Sequence, residues 1–575
     1  MNYKTEYERW LTSPNLTEDE RDELKGLSES EQQKELCFSA PMDFGTAGLR
    51  STMNMGIGCM NRFTVAQTTR ALAALVTSEG GKDRGVVIAY DSRNNSELFA
   101  KVSASVLSSE GIKTYIFDSL RPTPELSFAV RELSCIAGIN ITASHNPKEY
   151  NGYKAYWEDG AQIGPAQADV ISRMREKFDV LDYSGADMFD EAVKEGKITV
   201  LGEDFDERYI SAVLKTSISA ELIEEVGEEL KIVYTPLHGA GHRLVPLVFE
   251  RLGIKNLYTV AEQMTPDGNF PTVKKPNPEY ADVFALGIKL ADKVESDLII
   301  ATDPDADRVG VMARDSDGKF VTISGNQMGA LLLDYVIKAK KDKGILSPRA
   351  YAVKSLVSTD MAYKICKDNG VKLHDVLTGF KFIGEVIKNY EKSGTEDSFL
   401  LGFEESYGYL LGTYARDKDA VGASLMILEM TAYYRKRNMT LCDALSSLYD
   451  RYGYYAESTS DIYMEGLDGI EKRKRVMRAL RDSAPAVIGG VKVKAVGDYL
   501  SMTVTEAESG RVTATGQPKS DVLYYTLEND DKIIVRPSGT EPKIKIYVLA
   551  HADSCGELDE KMKIYKESAV GLAEV

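Results

Sequence analysis

The sequence predicts an α/β protein of several domains, and three observations support that prediction. Short apolar runs typical of buried strands alternate with helical segments, as at Gly85–Tyr90, which precedes a helix from about Ser96. The same order recurs along the chain with short loops, which indicates mixed, mostly parallel sheets covered by helices. From about Tyr452 the pattern changes to alternating strands and hairpins, which indicates a smaller α+β domain at the C-terminus.

The chain is too long for one hydrophobic core, because it has 575 residues. We expect three similar α/β domains over residues 1–207, 208–324 and 325–450. The smaller α+β domain is expected over residues 451–575. The likeness of the first three units suggests an internal repeat, although no clear sequence period is visible.

Composition and charge exclude several classes of partner. Lysine and arginine total 70 and aspartate and glutamate 88, so the formal charge is 70 − 88 = −18. Such a charge argues against nucleic acid or an anionic membrane as a general partner. No apolar run is long enough to span a membrane, and the start lacks a signal-peptide pattern. The six cysteines are scattered without a C-x-x-C pair, which fits reduced thiols in a cytoplasmic protein.

The first domain begins with polar residues 3–35, whose pattern is helical and is expected to end near Ser28 to Gln33. Phe44–Arg50 follows as a glycine-rich segment with a terminal arginine. Such a segment can approach a phosphate closely, although a plain loop is the simpler interpretation. Further along, the sequence predicts a helix over Arg62–Val76 and strands over Lys113–Phe117 and Ile136–Ile141.

Ser144 stands in the loop Thr142–Pro147, directly after the last of those strands. Asn146-Pro147 prevents the strand from continuing and turns the chain. Asn151-Gly152 then predicts the tip of a hairpin between 149–150 and 153–156. A hydroxyl beside His145 at the end of a rigid strand suits a nucleophile or a phosphate carrier. A serine in an ordinary turn is the alternative, which this pair of residues alone does not exclude.

The second domain is expected to start after a charged connection over about 182–207. Its strand Lys231–Tyr234 leads into the glycine-containing loop Pro236–Gly241, and Lys275–Glu279 is predicted as an extended loop. A further strand, Leu298–Ala301, ends at the acidic stretch Asp303–Arg308.

Asp303, Asp305 and Asp307 alternate at the end of that apolar strand. Carboxylates so close repel each other unless a cation lies among them. Because the donors are oxygens without nearby cysteine or histidine, the pattern predicts Mg²⁺ rather than zinc. A calcium EF-hand does not fit, since Arg308 stands where its glycine is needed and Arg314 where its glutamate is needed. A solvated acidic turn is the remaining alternative.

The third domain carries a second set of polar loops after apolar strands. The sequence predicts strands over Ala350–Val353 and Phe399–Gly402, with a loop over Thr378–Lys381 between them. Glu404 and Ser406 could hydrogen-bond adjacent sugar hydroxyls. A carboxylate acceptor discriminates well between hydroxyl positions, because a buried group without its partner is costly. An acidic surface turn is the alternative. Lys418 is a candidate acid or base, with an exposed charged turn as its alternative.

The last domain contains a compact loop after the apolar run Ile533–Val535. Its charged fork, hydroxyls and backbone amides suit a phosphate, and they are supplied by Arg536, Ser538, Gly539 and Thr540. Lys545 lies on the next predicted strand. The chain has neither a Walker loop nor a G-x-G-x-x-G motif, so no nucleotide-binding fold is predicted.

Four of these stretches, in this order, resemble the motifs of the α-D-phosphohexomutase superfamily. They are Thr142–Pro147, Asp303–Arg308, Gly402–Gly408 and Arg536–Pro542. The ordered set is far more specific than any single motif. The resemblance implies three α/β domains and a smaller α+β domain around a central cleft, in a monomer or weak oligomer.

The resemblance also implies a role for each site residue. Ser144 would be the phosphoserine and would bind Mg²⁺ together with Asp303, Asp305 and Asp307. The sugar hydroxyls would be read by Glu404 and Ser406, and the distal phosphate would be held by Arg536, Ser538, Gly539 and Thr540. Other positions that match the family's active site or its substrate-binding loops are Arg50, His145, Arg308, Thr378, Gly379, Lys381 and Lys418.

The residues Gly402–Gly408 resemble the phosphoglucomutase and phosphopentomutase branch of the superfamily. That branch implies interconversion of glucose 1-phosphate and glucose 6-phosphate through a bound glucose 1,6-bisphosphate. Mannose and pentose phosphates remain alternative substrates, and His145 and Lys418 remain alternative bases. A sugar-phosphate sensor without activity and a metal-dependent phosphatase are alternatives from other classes.

Overall fold

The computed structural model of the chain describes residues 2–27, 30–46, 48–395, 398–464, 469–538 and 543–573. The chain forms two compact units. The first comprises Met1–Ile323, Gly384–Phe399 and Tyr407–Thr440, and the second comprises Ser324–Ile383, Leu400–Ser406 and Leu441–Val575. Within the described residues, no helix is both long enough and apolar enough to cross a membrane.

The first unit begins with three short helices, α1 (Tyr3–Leu11), α2 (Glu18–Leu27) and α3 (Glu31–Phe38). The helical pattern of this segment was therefore predicted, but its end was placed too early. Ser30 is the reason, because its side chain accepts a hydrogen bond from the amide of Gln33 and starts a new helix.

The first sheet contains six strands in the order β1-β5-β4-β2-β3-β6. Its strands are β1 (Leu49–Thr52), β2 (Val86–Tyr90), β3 (Thr114–Phe117), β4 (Ala137–Ile141), β5 (Tyr150–Trp157) and β6 (Ile198–Leu201). Its helices are α4 (Arg62–Ser78), α5 (Ser96–Ser109), α6 (Thr123–Glu132), α7 (Pro165–Arg175) and α8 (Phe189–Lys194). β4, β2, β3 and β6 are parallel neighbours, and β5 is antiparallel to β4 and β1. The segment 182–207, expected as a connection, thus supplies α8 and the edge strand β6.

Asn151 and Gly152 lie inside β5, so the prediction of a hairpin tip at these residues is wrong. Gly152 lies between two neighbouring strands, and a Cβ atom there would lie 2.5 Å from the carbonyl oxygen of Thr142 and 2.8 Å from that of Leu49. The glycine therefore permits a close approach of backbones rather than a turn. The chain reverses earlier, between the end of β4 and Tyr150.

The second sheet of this unit has the order β11-β10-β9-β7-β8. Its strands are β7 (Lys231–Thr235), β8 (Asn256–Thr259), β9 (Leu298–Thr302), β10 (Val309–Arg314) and β11 (Phe320–Ile323). Its helices are α9 (Glu203–Leu214), α10 (Ala220–Val226), α11 (Gly241–Arg251), α12 (Ala261–Met264), a short 3-10 helix (Ala281–Phe284) and α13 (Ala285–Val294). β7 is parallel to β8 and β9, whereas β10 is antiparallel to β9 and β11. The acidic stretch Asp303–Arg308 is therefore the turn between β9 and β10.

The next elements along the chain are α14 (Gly325–Asp342), β12 (Tyr351–Ser355), α15 (Met361–Asn369), β13 (Lys372–Val376), α16 (Phe380–Lys392), β14 (Phe399–Glu404), β15 (Gly408–Leu410), α17 (Ala420–Arg435) and α18 (Leu441–Tyr452). In the second unit, β12 and β13 pair in parallel. Lys381, expected in a loop, lies in the first turn of α16. The positive φ of 122° at Gly379 ends the preceding loop, so the helix begins one residue later.

The C-terminal part of the second unit is rich in β-structure. It contains β16 (Tyr454–Tyr463), α19 (Gly469–Asp482), β17 (Val487–Ile488), β18 (Val491–Asp498), β19 (Thr503–Glu506), β20 (Val512–Ala514), β21 (Leu523–Leu527), β22 (Lys532–Pro537), β23 (Lys543–Ala552) and α20 (Cys555–Gly571). Its main sheet has the order β16-β23-β22-β21-β18-β19-β20. The predicted fold class is confirmed: mixed α/β sheets are followed by a β-rich C-terminal region.

Candidate active site

Ser144 lies in the loop that follows β4, with a left-handed backbone conformation at φ 54°. Its amide donates a hydrogen bond to the hydroxyl oxygen of Thr142 at 2.8 Å, which fixes this unusual conformation. Its hydroxyl donates to Oδ2 of Asp303 at 2.9 Å and lies 3.2 Å from Nδ1 of His145. The side chain is buried. The loop therefore holds a hydroxyl oxygen against the acidic turn between β9 and β10.

Arg93 holds this loop in place from the segment that follows the neighbouring strand β2. Its buried guanidinium ion-pairs with Asp91 at 3.4 Å. It also donates to four backbone carbonyls of the Ser144 loop, those of Ser144 at 2.6 Å, Pro147 at 2.8 Å, Tyr150 at 3.0 Å and Asn146. We did not predict this role from the sequence. Its signal was an Asp-x-Arg sequence directly after a buried strand.

Replacement of Arg93 by lysine is expected to loosen the Ser144 loop. Lysine keeps the positive charge beside Asp91 but cannot reproduce the five-donor fork that reaches separate carbonyls. Hydrogen exchange of the amides of residues 143–150 should accelerate about tenfold or more. Mass-spectrometric hydrogen exchange on the folded variant measures this.

Arg70→Lys is the matched control, because Arg70 is also buried in the first unit and also donates to backbone carbonyls, those of Asp182 and Ser184. It should leave the exchange of residues 143–150 unchanged. Equal acceleration in both variants, or none in Arg93→Lys, would contradict the role of Arg93.

The acidic turn brings three carboxylates together. Asp303, Asp305 and Asp307 are fully buried, and one oxygen from each lies within 4.8 Å of the others. The second oxygen of Asp303 accepts hydrogen bonds from the amides of Asp307 at 3.1 Å and Arg308 at 3.0 Å. The amide of Thr123 donates to the carbonyl of Asp305 at 2.8 Å. The backbone thus holds the carboxylate of Asp303 and fixes the main chain at Asp305.

The pKa values of these groups are displaced in opposite directions. Burial, together with the charges of Asp305 and Asp307, raises the pKa of Asp303 well above its ordinary value. Burial also acts to raise the pKa of Asp305, but the ammonium of Lys154 outweighs it and holds that pKa below its ordinary value. The Nζ atom of Lys154 lies 2.8 Å from Asp305 and 3.7 Å from Asp307. Lys154 was treated in the sequence only as part of a strand.

Two carboxylate oxygens of this cluster indicate a site for a cation. Within the part of the chain that the structure describes, Oδ1 of Asp305 and Oδ1 of Asp307 are buried and accept no hydrogen bond. A buried carboxylate oxygen without a donor is costly unless a cation contacts it. Hard oxygen donors suit a divalent cation such as Mg²⁺. The residues present therefore fit the metal that the sequence predicts.

Lys418 also lies beside Asp307 and stands just before α17 in the chain. Its Nζ atom lies 3.0 Å from Oδ2 of Asp307 and 2.9 Å from Oδ1 of Asp417. Asp417 also accepts hydrogen bonds from the side chains of Tyr156 at 2.7 Å and Gln162 at 3.1 Å. Burial would raise the pKa of Asp417, but the Lys418 ammonium holds it below its ordinary value. Asp417 is a positioning group that the sequence did not identify.

Three further predicted residues, His145, Arg50 and Arg308, lie beside the same loops. Burial, together with the positive charges of Arg308 and Arg50, lowers the pKa of His145 well below its ordinary value. Arg50 donates to the side-chain oxygen of Asn146 at 3.3 Å, and Arg308 ion-pairs with Glu279. The first unit thus brings together Ser144, His145, the three aspartates, Arg50, Arg308 and Lys418.

The second unit contains the residues predicted to contact a sugar, and it places two of them, Glu404 and Gly379, in contact. Glu404 is buried at the end of β14, and its Oε1 accepts a hydrogen bond from the amide of Gly379 at 2.7 Å. Ser406 and Thr378 are half-buried. The Nζ atom of Lys381 lies 5.2 Å from the ring centre of Phe382. Glu404 therefore lies against the loop before α16.

The predicted phosphate loop follows β22 in the same unit. Arg536 pairs across the sheet with Lys545, and the amide of Ser538 donates to the carbonyl of Lys543 at 2.8 Å. Arg473 of α19, which the sequence did not suggest, donates to the carbonyl of Ser538 at 2.5 Å. Gly539 and Thr540 lie outside the described residues.

Comparisons with known proteins agree with this architecture. Three family descriptions match, namely "Phosphoglucomutase/phosphomannomutase, alpha/beta/alpha" domain I over residues 41–179, domain II over 207–318 and domain III over 324–452. A phosphoglucomutase of Staphylococcus saprophyticus is 36% identical over 539 residues, covering 93% of this chain and 95% of that protein. A phosphoglucomutase of Staphylococcus aureus strain MRSA252 is 36% identical over 526 residues, covering 91% and 92% of the two chains.

Two solved structures share the fold. The open form of the exocytosis-sensitive phosphoprotein parafusin, a phosphoglucomutase from Paramecium, has a TM-score of 0.66 at 18% identity and covers 93% of this chain and 95% of its own. A phosphoglucomutase/phosphomannomutase family protein from Burkholderia thailandensis has a TM-score of 0.63 at 18% identity, covering 92% and 97%. At such identity these two show the fold alone.

Proposed function

The chain belongs to the phosphoglucomutase/phosphomannomutase family, and from this we propose that it interconverts glucose 1-phosphate and glucose 6-phosphate. It is thus a phosphohexomutase, an isomerase-class phosphotransferase, as its bacterial relatives named phosphoglucomutase indicate. One observation in the first unit carries the assignment of the site: the hydroxyl of Ser144 donates to Asp303, within the buried acidic turn, at 2.9 Å.

The reaction that we propose transfers one phosphoryl group out and one back. The bond between phosphorus and Oγ of a phosphorylated Ser144 breaks while a bond to the 6-hydroxyl oxygen of glucose 1-phosphate forms. The resulting glucose 1,6-bisphosphate then gives the phosphoryl group at position 1 back to Ser144. Glucose 6-phosphate leaves and the enzyme is again phosphorylated, so glucose 1,6-bisphosphate serves as both intermediate and primer.

Asp303, Asp305 and Asp307 would hold Mg²⁺ together with an oxygen of the serine phosphate. When bound, the metal supplies charge neutralisation to the transferring group. A phosphoserine carries about −1.5 to −2 charge, so three aspartates and a phosphate exceed one divalent cation. Arg50, Arg308 and Lys154 supply the further positive charge in this proposal. Arg93 keeps the Ser144 loop in position by binding its carbonyls.

The proton of the sugar hydroxyl needs an acceptor, and His145 and Lys418 are the two candidates. Nδ1 of His145 lies 3.2 Å from the Ser144 hydroxyl. Nζ of Lys418 lies 3.0 Å from Asp307 and 2.9 Å from Asp417. We propose that one of these two groups accepts the proton of the sugar hydroxyl while the other serves the departing oxygen, with the roles reversed for transfer back.

The second unit supplies substrate recognition in this proposal. Glu404 and Ser406 form hydrogen bonds with adjacent sugar hydroxyls. The loop of Thr378, Gly379 and Lys381 supports these two side chains. Arg536, Ser538, Gly539 and Thr540 hold the phosphate that is not transferred. Support comes from the burial of Glu404 against the Gly379 amide and from the two hydrogen bonds that fix Ser538.

Replacement of Glu404 by alanine is expected to damage the choice of sugar more than the affinity for phosphate. A buried carboxylate that pairs with a sugar hydroxyl discriminates strongly, because an unmatched partner is costly. We expect the ratio of kcat/KM for glucose 1-phosphate over mannose 1-phosphate to fall about tenfold or more.

Glu405→Ala is the matched control, since Glu405 is its neighbour and accepts a hydrogen bond from Ser355 instead. That variant should keep the selectivity ratio. An equal loss of kcat/KM for every sugar phosphate in Glu404→Ala would contradict a role in selection.

A panel of substrates tests the proposed function. The purified protein is assayed with Mg²⁺, a trace of glucose 1,6-bisphosphate and the 1-phosphates of glucose, mannose and ribose. We expect the highest kcat/KM for glucose 1-phosphate. A preference for mannose or ribose would overturn the choice of sugar, and release of inorganic phosphate without isomerised product would indicate a phosphatase.

A further inference from the structure

Two buried cysteines face each other at the N-terminal end of the first unit. Cys37 lies in the last turn of α3, and Cys59 lies in the segment between β1 and α4. Each side chain is about 2% exposed, and the two Sγ atoms are 3.4 Å apart. Neither cysteine is among the residues to which a catalytic or substrate-binding role was assigned above.

The backbone around these cysteines fixes their proximity. The amide of Gly58 donates to the carbonyl of Cys37 at 2.9 Å. Gly56 has a φ of 125°, and a Cβ atom there would lie 2.6 Å from the same carbonyl oxygen. The turn over residues 56–59 is therefore packed against the end of α3, and this packing places the two cysteines next to each other.

The two thiols are not chemically equivalent. The thiol of Cys59 donates to the sulfur of Cys37, and this hydrogen bond lowers the pKa of Cys37 although burial opposes it. The same hydrogen bond, aided by burial, raises the pKa of Cys59 far above its ordinary value. Because the thiolate is the reactive form of cysteine, we assign the attack to Cys37, whose sulfur accepts the hydrogen bond, and the retained proton to Cys59, which donates it.

We propose that Cys37 and Cys59 form a reversible oxidation site that closes to a disulfide when hydrogen peroxide reaches it. The Cys37 thiolate attacks one peroxide oxygen, the O–O bond breaks, and hydroxide leaves with sulfenic acid formed on Cys37. The sulfur of Cys59 then attacks that of Cys37, the S–O bond breaks, and the Cys59 proton leaves in water. The two thiols thereby lose two electrons to the peroxide, and a dithiol reductant reverses the reaction.

The geometry demands only a small movement. A disulfide has an S–S separation of about 2.0 Å, so the two sulfurs must approach by roughly 1.4 Å. Peroxide is close to water in size and needs little space to reach a buried sulfur. The proposal does not depend on the proposed function.

A disulfide between Cys37 and Cys59 would join the two ends of the segment that carries Arg50. The loop between Cys37 and Cys59 contains β1 and Arg50, whose guanidinium contacts the Ser144 loop through Asn146. A cross-link of this kind stabilises chiefly by restricting the unfolded chain. We therefore expect the oxidised protein to unfold at a higher temperature than the reduced protein.

The experiment uses the full-length native protein. It is treated with a small excess of hydrogen peroxide, the excess is removed with catalase, and free thiols are blocked with N-ethylmaleimide in denaturant. Peptide mass mapping should show the Cys37 and Cys59 peptides joined, with the loss of two hydrogens, about 2 Da. The unfolding midpoint should rise, and dithiothreitol should reverse both changes.

Control variants make the result specific. Cys59→Ser should abolish both the joined peptide and the shift in midpoint, and Cys59→Ala provides a second variant should the serine not be tolerated. Cys135→Ser, which removes another buried cysteine of the first unit, should keep both. Oxidation of the exposed Cys555 without a Cys37–Cys59 link would overturn the proposal. So would a link that forms only after unfolding in urea, or one that leaves the midpoint unchanged.

Discussion

Replacement of Ser144 by alanine is expected to abolish turnover and to remove the covalent phosphate from the protein. The hydroxyl is the only atom of this side chain that can carry a phosphoryl group, and it is held at 2.9 Å from Asp303. Loss of a covalent nucleophile removes the whole two-step route, so kcat should fall at least about 10⁴-fold. Intact-mass spectrometry after incubation with glucose 1,6-bisphosphate should find one phosphate on the native protein and none on the variant.

Ser103→Ala is the matched control for that experiment. Ser103 is buried in the same unit and bonds to the carbonyl of Phe99 within α5, away from the Ser144 loop. Its loss should leave both the phosphate and kcat largely unchanged. A Ser144→Ala variant that remains active, or that still takes up a phosphate, would remove the basis of the proposed function.

Replacement of Asp305 by asparagine is expected to weaken metal binding and activity while the fold survives. Asparagine matches the shape of aspartate but lacks its charge, so one of three negatively charged ligands is lost. The affinity for Mg²⁺ should fall about 10–100-fold or more, and kcat should fall with it at the Mg²⁺ concentration that saturates the native protein. Titration of activity with Mg²⁺ measures the loss of kcat. The rise of the unfolding midpoint with Mg²⁺ measures the affinity for the metal without any substrate.

Asp206→Asn separates the metal site from the general effect of losing a buried carboxylate. Asp206 is buried in the same unit but ion-pairs with Arg121 at 2.7 Å and Arg243 at 3.1 Å. This variant should lose stability and keep the dependence on Mg²⁺. If Asp305→Asn kept the native dependence on Mg²⁺, the acidic turn would not be the metal site.

Much of the fold could be predicted from the sequence because the relevant rules act over short distances. The run Gly85–Tyr90 and the helix at Arg62 were recognisable from periodicity alone, and both are present as β2 and α4. The error at Asn151-Gly152 has the same origin. A local rule interprets that pair as a turn, whereas the neighbouring strands β1 and β4 require a glycine in the middle of β5.

The candidate site was predicted only in part, because its residues are distant in sequence. Ser144 and Asp303 are 159 positions apart, and no local pattern states that they touch. Lys154 and Asp417 were missed for this reason. Each belongs to a strand or turn with an ordinary local pattern, and each acquires its role from a partner, Asp305 at 151 positions and Tyr156 at 261 positions along the chain.

The sequence by itself determined the α/β class, the order of the polar loops and the kinds of side chain in each loop. These depend on backbone sterics, apolar periodicity and chemical composition, which are properties of neighbouring residues. Only the tertiary structure decided that the hydroxyl of Ser144 contacts the acidic turn, that Arg93 binds the carbonyls of the Ser144 loop, and that Cys37 lies against Cys59. Such contacts form because packing brings together elements that are far apart in sequence, such as the loops after β4 and β9 of two different sheets, whatever number of residues lies between them.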